Sequence, residues 1–272
     1  MNRTGLLIAL AIAVVVGVVF GLYPELDLRI SQPFHQIVDS RHNVFAMRFY
    51  PPVMIARDIG VWLGGVLIAP AVIALVLKLF SPRRKLLVSA RAIVFLMTTL
   101  ALGPGLLVNA VLKDHWGRPR PVEVTQFGGP YKFVAWWDPR GACPGNCSFV
   151  SGDISGAMWT MAPAALAPPQ WRALAYGGAL ALTAGMSALR IIAGGHFFTD
   201  AIFAGVFTFL IVWLGYALIY RWPRTRMSDE AIERVIERVA TPPHDFVLKL
   251  FGRKPRSTPC PQNKIAGRKA RR

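Results

Sequence analysis

The chain has 272 residues, of which 54% are hydrophobic, and yet its formal net charge is +17. A disordered chain would combine high charge with low hydrophobicity. Three cysteines are too few for a secreted scaffold built on disulfides. A nucleic-acid-binding protein can be this basic, but it would not contain long runs without charge. The charges and the apolar residues must therefore occupy different parts of the chain.

Six uncharged runs long enough to cross a bilayer follow one another along the chain. A spanning helix needs about 20 apolar residues, with a range of about 17–25. The runs are 5–23, 61–77, 92–112, 154–170, 173–189 and 201–220. They predict an all-α bundle of six transmembrane helices. We expect a distortion at 103–105, where Pro104 lies between two glycines, and a helix end before Pro168 and Pro169.

The loops predict the orientation of this bundle. With the N-terminus inside, the inner segments carry 12 Lys and Arg in 40 residues, and the outer segments carry 10 in 88. The inner segments are 1–4, 78–91, 171–172 and 221–240; the outer segments are 25–60, 113–153 and 190–200. Basic residues concentrate on the cytoplasmic side, so both termini are predicted to be cytoplasmic.

Ionisable residues nevertheless stand at the outer ends of the spans. Lys113 ends the third run, Asp153 precedes the fourth, Arg190 follows the fifth, and His196 and Asp200 precede the sixth. A lone Lys or Arg there could simply extend to the interface. Ionisable groups at membrane depth are usually functional, and arginine forks match phosphate well. The cluster therefore indicates an anion-binding site.

Three motifs in order carry a family resemblance. They are K-x6-R-P from Lys113 to Pro121, Ser-Gly-Asp at 151–153, and R-x5-H-x3-D from Arg190 through His196 to Asp200. Together they resemble the signature of the type 2 phosphatidic acid phosphatase family, K-x6-R-P, P-S-G-H and S-R-x5-H-x3-D. The resemblance implies a six-helix membrane enzyme that removes phosphate from lipids near the outer membrane face, without a metal or cofactor.

The resemblance also implies roles for the motif residues. His196 would attack phosphorus and form a phosphohistidine. If a helix begins near His196, Asp200 lies one turn away and would orient the imidazole ring. The phosphoryl oxygens would be bound by Lys113, Arg120 and Arg190.

Further residues would support this site. Ser151 and Gly152 would open the fourth helix and add donors at its positive end. We interpret Arg118 as a loop residue or an auxiliary group. His196 and Asp200 could be two metal ligands, but no convincing third ligand is found, so no metal is expected.

Asp153 departs from the family, which has a histidine there as general acid. At its ordinary pKa an aspartate is only about 0.1% protonated at pH 7. Burial could raise the pKa of Asp153, the leaving group could need little protonation, or His115 could supply the proton. The departure favours a lipid diphosphate, such as undecaprenyl diphosphate, or a phosphorylated glycolipid such as lipid A.

Other functions stay open. One is a phosphatidate or phosphatidylglycerophosphate phosphatase, and another is an enzyme that transfers phosphate between lipids. A third, from a different class, is an inactive lipid-binding or transport component. The oligomeric state is also left open, and nucleic acid is not expected as a partner.

The resemblance and the compact size of the chain imply a bacterial cytoplasmic membrane protein with its site facing the exterior. In an oxidising compartment Cys143 and Cys147 are candidates for a disulfide. We expect a membrane domain over 1–226 and a cytoplasmic segment over 227–272. In that segment an amphipathic helix begins after Ser228 and ends at 241–243, and a polybasic tail then faces the anionic inner leaflet.

Overall fold

The computed structural model describes residues 1–39 and 42–251. At 37–39 and 42–44 it describes the backbone alone. The helices are α1 (Arg3–Leu22), α2 (Glu25–Ser31), α3 (Pro51–Phe80), α4 (Ala90–His115), α5 (Gly152–Trp159), α6 (Met161–Leu166), α7 (Pro169–Ile192), α8 (Phe198–Arg221) and α9 (Asp229–Leu250). Strands β1 (Gln36–Asp39) and β2 (His42–Val44) pair antiparallel. The bundle is helical as expected, but this short hairpin departs from a strictly all-α fold.

Five of these helices are long and apolar enough to cross a membrane. They are α1, α3, α4, α7 and α8, with mean hydropathies from 1.3 to 2.9. Most of their large apolar side chains at the periphery are exposed, as those of Leu7, Trp62 and Leu174 are. Such surfaces are stable against lipid rather than water.

The fourth predicted span is not one continuous helix. It forms α5 and α6, which meet at Thr160. Pro163 has no N–H to donate to the carbonyl of Trp159, and its ring would clash with that carbonyl in a regular helix. The Thr160 hydroxyl instead donates to the Ala157 carbonyl at 2.6 Å. Helix α6 ends at Leu166, before Pro168 and Pro169, as the sequence predicted.

The predicted distortion at 103–105 takes the form of a change in winding. From Ala101 to Leu112, helix α4 follows wider π-helical turns that include Pro104. Pro104 cannot donate the regular backbone hydrogen bond to the Leu100 carbonyl. One turn later, the Asn109 side-chain amide donates to the Pro104 carbonyl at 2.7 Å. This turn brings Asn109 and Lys113 to the same end of the bundle as the motif loops.

Ion pairs attach α9 to the end of the bundle opposite the motif loops. The pairs are Lys78–Glu233 (2.9 Å), Arg83–Asp245 (2.9 Å) and Arg91–Asp229 (3.0 Å). The carboxylates all come from α9, while the basic residues come from the end of α3, the segment after it and the start of α4. The amphipathic helix therefore packs on the bundle.

The prediction that α9 ends at 241–243 is wrong, because the helix runs on to Leu250 with two prolines inside it. Two side-chain contacts hold the helix on either side of these prolines. The Thr241 hydroxyl donates to the Glu237 carbonyl at 2.7 Å, and Asp245, beyond the prolines, is paired with Arg83. The polybasic tail lies outside the described residues.

Aromatic packing fixes the motif loop on the other end of the bundle. The ring of Trp136 stacks on Phe203 of α8 with centroids 4.4 Å apart, and Trp116 stacks on Phe149 at 4.9 Å. Stacked rings of this kind contribute beyond their buried area. The loop between α4 and α5 therefore has a defined position over α8.

Candidate active site

The turn between α7 and α8 places His196 beside Arg190. Gly194 has φ +62°, and the amides of Gly194 and Gly195 donate to the carbonyls of Ile191 and Arg190, both at 2.9 Å. A Cβ on residue 195 would lie 2.5 Å from Nη2 of Arg190. Glycine at both positions therefore lets the chain fold back tightly over the arginine.

His196 is held as a neutral imidazole. Its side chain is 1% exposed, and Nδ1 lies 2.7 Å from the Ser148 carbonyl oxygen. A carbonyl only accepts, so Nδ1 carries the proton and Nε2 keeps a free lone pair. Burial, followed by the charges of Arg190, Arg120 and Lys113, lowers the pKa of His196 well below 6.5. The three predicted phosphate-binding cations therefore all act on this ring.

The sequence predicted that Asp200 would orient the ring of His196 directly, and it does not. Among the described residues, its carboxylate accepts from Arg118 Nη1 (2.5 Å), the Ser148 hydroxyl (2.5 Å) and the Phe197 amide (2.9 Å). Ser148 links the two groups, because its hydroxyl binds Asp200 and its carbonyl binds His196. The four-residue spacing placed Asp200 correctly at the site but could not reveal that a serine intervenes.

Arg118 lies in the loop after α4 and supports the site from behind, through Asp200. Its side chain is fully buried between two carboxylates, with Nη1 on Asp200 and Nη2 on Asp27 at 2.8 Å. Its guanidinium lies over the ring of Phe197, 4.5 Å from the centroid. Burial opposes the charged form, but Asp200 and Asp27 prevail and raise the pKa of Arg118.

Asp27 is a site residue that the sequence did not reveal. Helix α2 carries it into the bundle, where it is 1% exposed and accepts from the Thr199 amide (3.0 Å) and hydroxyl (2.6 Å). Asp27 and Asp200 therefore share one guanidinium behind His196. No motif includes Asp27, so no spacing could have pointed to it.

Gly152 leaves room for the side chain of Lys113. A Cβ there would lie 2.7 Å from Asn109 Oδ1 and 3.4 Å from Lys113 Nζ. Ser151 caps α5, because its hydroxyl accepts from the Ile154 amide at 3.5 Å. The first amides of a helix have no partner within it and suit an anion. The structure thus brings Ser151, Gly152 and Lys113 together, as predicted.

Arg120 is held by the loop that precedes α5. Its guanidinium donates to the backbone carbonyl (2.7 Å) and side-chain oxygen (2.9 Å) of Asn146. Burial lowers the pKa of Arg120. Cys143 and Cys147, which flank Asn146, are joined in a disulfide with their Cα atoms 5.8 Å apart. The disulfide loop thus carries the contact that orients Arg120.

Two guanidiniums face Asp153. Arg57 contacts it with Nε at 2.7 Å and Nη2 at 3.3 Å, and Arg190 Nε lies 3.4 Å away. Opposite charges this close favour the carboxylate over the acid. This argues against Asp153 as a proton donor. Sequence reasoning missed Arg57, because α3 begins ten residues before the uncharged run that predicted it.

His115 is exposed, and its Nδ1 lies 3.0 Å from the Val111 carbonyl. This contact directs the ring along α4 and gives no support to a role as proton donor. In the described part of the chain, no three His, Cys, Asp or Glu side chains are grouped as a metal site would need.

Comparison with known proteins agrees with this geometry. A PAP2 superfamily model matches residues 91–226. The chain is 33% identical over 227 residues to a lipid A 4'-phosphatase of Francisella tularensis subsp. novicida (strain U112), covering 81% of this chain and 98% of that protein. It is 39% identical over 104 residues to a lipid A 4'-phosphatase of Rhizobium leguminosarum, covering 38% of this chain and 45% of that protein.

A lipid A 4'-phosphatase of Rhizobium etli is 41% identical over 101 residues, covering 37% of this chain and 39% of that protein. No solved structure gives a significant match. The family model reaches from the start of α4 to the end of α8 and includes all three motifs. The chain therefore belongs to the PAP2 superfamily, as a lipid phosphatase of the type 2 phosphatidic acid phosphatase family.

Proposed function

We propose that the enzyme removes a phosphate from a lipid A-like glycolipid through a phosphohistidine formed on His196. The observation that carries this proposal is the buried, neutral imidazole of His196, held by Ser148 and surrounded by Lys113, Arg120 and Arg190. The substrate class follows from the relatives named lipid A 4'-phosphatases, one of which aligns over nearly its whole length.

In the first step, the lone pair of His196 Nε2 forms a bond to phosphorus, and the bond from phosphorus to the lipid oxygen breaks. The imidazole then carries positive charge, which Asp200 stabilises through Ser148. Lys113, Arg120 and Arg190 hold the equatorial oxygens, where phosphoryl transfer concentrates charge.

In the second step, water attacks phosphorus and the bond to Nε2 breaks. An ionised carboxylate accepts a proton better than it donates one. Asp153, held between Arg57 and Arg190, therefore acts as the base that receives a proton from the attacking water. The departing lipid oxygen takes its proton from solvent in the first step.

The residues themselves are compatible with other leaving groups. With an isoprenyl diphosphate such as undecaprenyl diphosphate, the leaving group is a lipid monophosphate, which departs readily without an acid. Such a substrate therefore suits an ionised Asp153. A glycerophospholipid phosphatase, a lipid-to-lipid phosphotransferase and an inactive binding component are the remaining alternatives. The relatives favour the glycolipid over all of these.

The proposed location is the bacterial cytoplasmic membrane. Helices α5 and α6 together form a broken span, which brings the number of spans to six, and the N-terminus then lies at the end of the bundle that carries α9. The segments at that end carry an excess of basic residues, which favours a cytoplasmic position for it. The active site then faces the exterior, and α9, with the tail after it, lies against the anionic inner leaflet.

The test is phosphate release from a panel of lipids by purified enzyme. The panel contains lipid A, undecaprenyl diphosphate and phosphatidate, with the His196→Ala variant as control. We expect lipid A to be the best substrate and the variant to be inactive. A clear preference for phosphatidate contradicts the proposed substrate class.

Impermeant thiol labelling of single cysteines introduced at 132 and 224 tests the proposed orientation of the bundle in the membrane. Residue 132 should react in intact cells and residue 224 should not.

A further inference from the structure

A cavity adjoins the site around His196, at the ends of α3 and α7 that lie near the motif loops. Its volume is about 200 Å³, larger than the roughly 150 Å³ cavity that binds a benzene molecule in another protein. Arg48, Arg57 and Asp58 line one side, and Met54 and Leu189 line another. The cavity thus combines basic and apolar walls, as a lipid headgroup site needs.

Arg190 connects this cavity to the catalytic site. Its side chain lines the cavity and also lies 3.4 Å from Asp153, beside His196. Arg190 Nε is buried and makes no hydrogen bond to the described residues. A group bound in the cavity would therefore lie next to the phosphate that His196 is proposed to attack.

The charges of the lining select an anion. Arg48, Arg57, Arg190 and one carboxylate, that of Asp58, line the cavity. A second carboxylate, that of Asp153, contacts Arg57 and Arg190 from outside the lining. Arg57 is engaged by both carboxylates, at 3.3 Å from Asp58 and 2.7 Å from Asp153. Arg48 enters the same cavity from the 3₁₀ turn Ala46–Phe49 and adds the charge that makes the cavity net positive.

The cavity also opens where a lipid would arrive. Met54, Ile55 and Ile59 on the adjoining turns of α3 are at least half exposed. Exposed apolar residues next to a charged cavity place the headgroup in the cavity and the acyl chains along the helix.

We propose that this cavity binds a second anionic group, a phosphate or carboxylate, of the headgroup whose phosphate His196 removes. The proposal rests on the proposed function for the nature of the substrate. Arg48 is its specificity-determining residue, because it lies outside the three motifs and contributes charge to the cavity. The enzyme then prefers lipids that carry two neighbouring anionic groups over lipids that carry one.

The experiment compares two glycolipids that differ only in a second phosphate, each in neutral detergent micelles. One charge-assisted hydrogen bond changes kcat/KM by about tenfold or more. We expect the wild-type enzyme to favour the bisphosphorylated lipid by that factor, through KM. Arg48→Gln should abolish the preference, Arg48→Lys should keep most of it, and Arg140→Gln, an exposed pair with Asp138, should leave it unchanged.

Binding to the His196→Ala protein provides a readout that does not depend on turnover. The dissociation constants of the two lipids should differ by about tenfold in this protein and should be equal after Arg48→Gln is added. If the wild-type enzyme cleaves neither lipid while the difference in binding is present, the proposed function fails and the second site stands.

Three results would overturn the second site. One is equal binding of the two lipids to the His196→Ala protein. Another is an unchanged preference in Arg48→Gln. The last is a preference that depends on anionic carrier lipid added to the micelles, because the bound anion would then belong to a neighbouring lipid.

Discussion

Arg118 and Asp200 form an ion pair of 2.5 Å between two side chains with no exposed surface. Asp27 binds the opposite side of the same guanidinium at 2.8 Å. The triad connects α2, the first motif and the third motif. Such a cluster is stable only while every charge has its partner.

Replacing Arg118 by methionine should therefore destabilise the fold strongly. The change leaves two carboxylates buried without a cation, and breaking a buried pair typically costs about 3–5 kcal/mol. The measurement is thermal unfolding of the purified protein in detergent. The matched control is Arg140→Gln, which breaks an exposed pair and should leave Tm unchanged. Equal losses of Tm in both variants would contradict the role assigned to the triad.

His196 should remain neutral through the physiological range. Burial lowers its pKa well below 6.5, so protonation should begin only at markedly more acidic pH. The measurement is an NMR titration of the labelled histidines in the whole enzyme, in which the His196 signal is identified by its loss in His196→Ala. A midpoint at or above 6.5 would show that the imidazole is not held as the neutral nucleophile.

Asp153→Asn should cause phosphoenzyme to accumulate. The variant lacks the base for the second step but keeps the nucleophile and the cations. The expected fall in turnover is about 10²-fold or more, the usual size of a general-base contribution, and should be the same for good and poor leaving groups.

Rapid quenching with labelled substrate measures the amount of phosphoenzyme and the turnover rate of Asp153→Asn. The control is Asp138→Asn, which alters a carboxylate paired with the exposed Arg140. A defect that grows with the pKa of the leaving group, without phosphoenzyme, would identify Asp153 as the general acid instead.

Breaking the Cys143–Cys147 disulfide should weaken phosphate binding. The loop that it closes carries Asn146, which accepts three hydrogen bonds from Arg120. We expect the Cys143→Ser variant to lower kcat/KM by about tenfold, the loss of one charge-assisted hydrogen bond, mostly through KM. Cys260→Ser retains both loop cysteines and serves as control. Unchanged kinetics in Cys143→Ser would separate the loop from the site.

The motifs predicted which residues meet, because their positions at helix ends force them to one end of the bundle. Lys113, Gly152, Arg190 and His196 all lie where their spacing placed them. The contact partners were less predictable. Asp200 contacts Ser148 rather than the ring of His196, and this depends on the path of an irregular loop that has no periodicity.

Residues outside the motifs were missed for a related reason. Arg57 belongs to the first turns of α3, which begin before the uncharged run, and Asp27 belongs to a short helix between two longer ones. The prolines at 163 and 242–243 had opposite effects. Pro163 breaks the central span at Thr160, while α9 continues through its prolines because ion pairs to the bundle hold both halves.

His196 is the proposed nucleophile of this lipid phosphatase. The most direct measurement is alkaline trapping of the enzyme after mixing with lipid A labelled at phosphorus, because a phosphohistidine survives alkali and is lost in acid. We expect label on the wild-type protein, more label on Asp153→Asn, and neither label nor phosphate release with His196→Ala. Phosphate release by His196→Ala at the wild-type rate would contradict it.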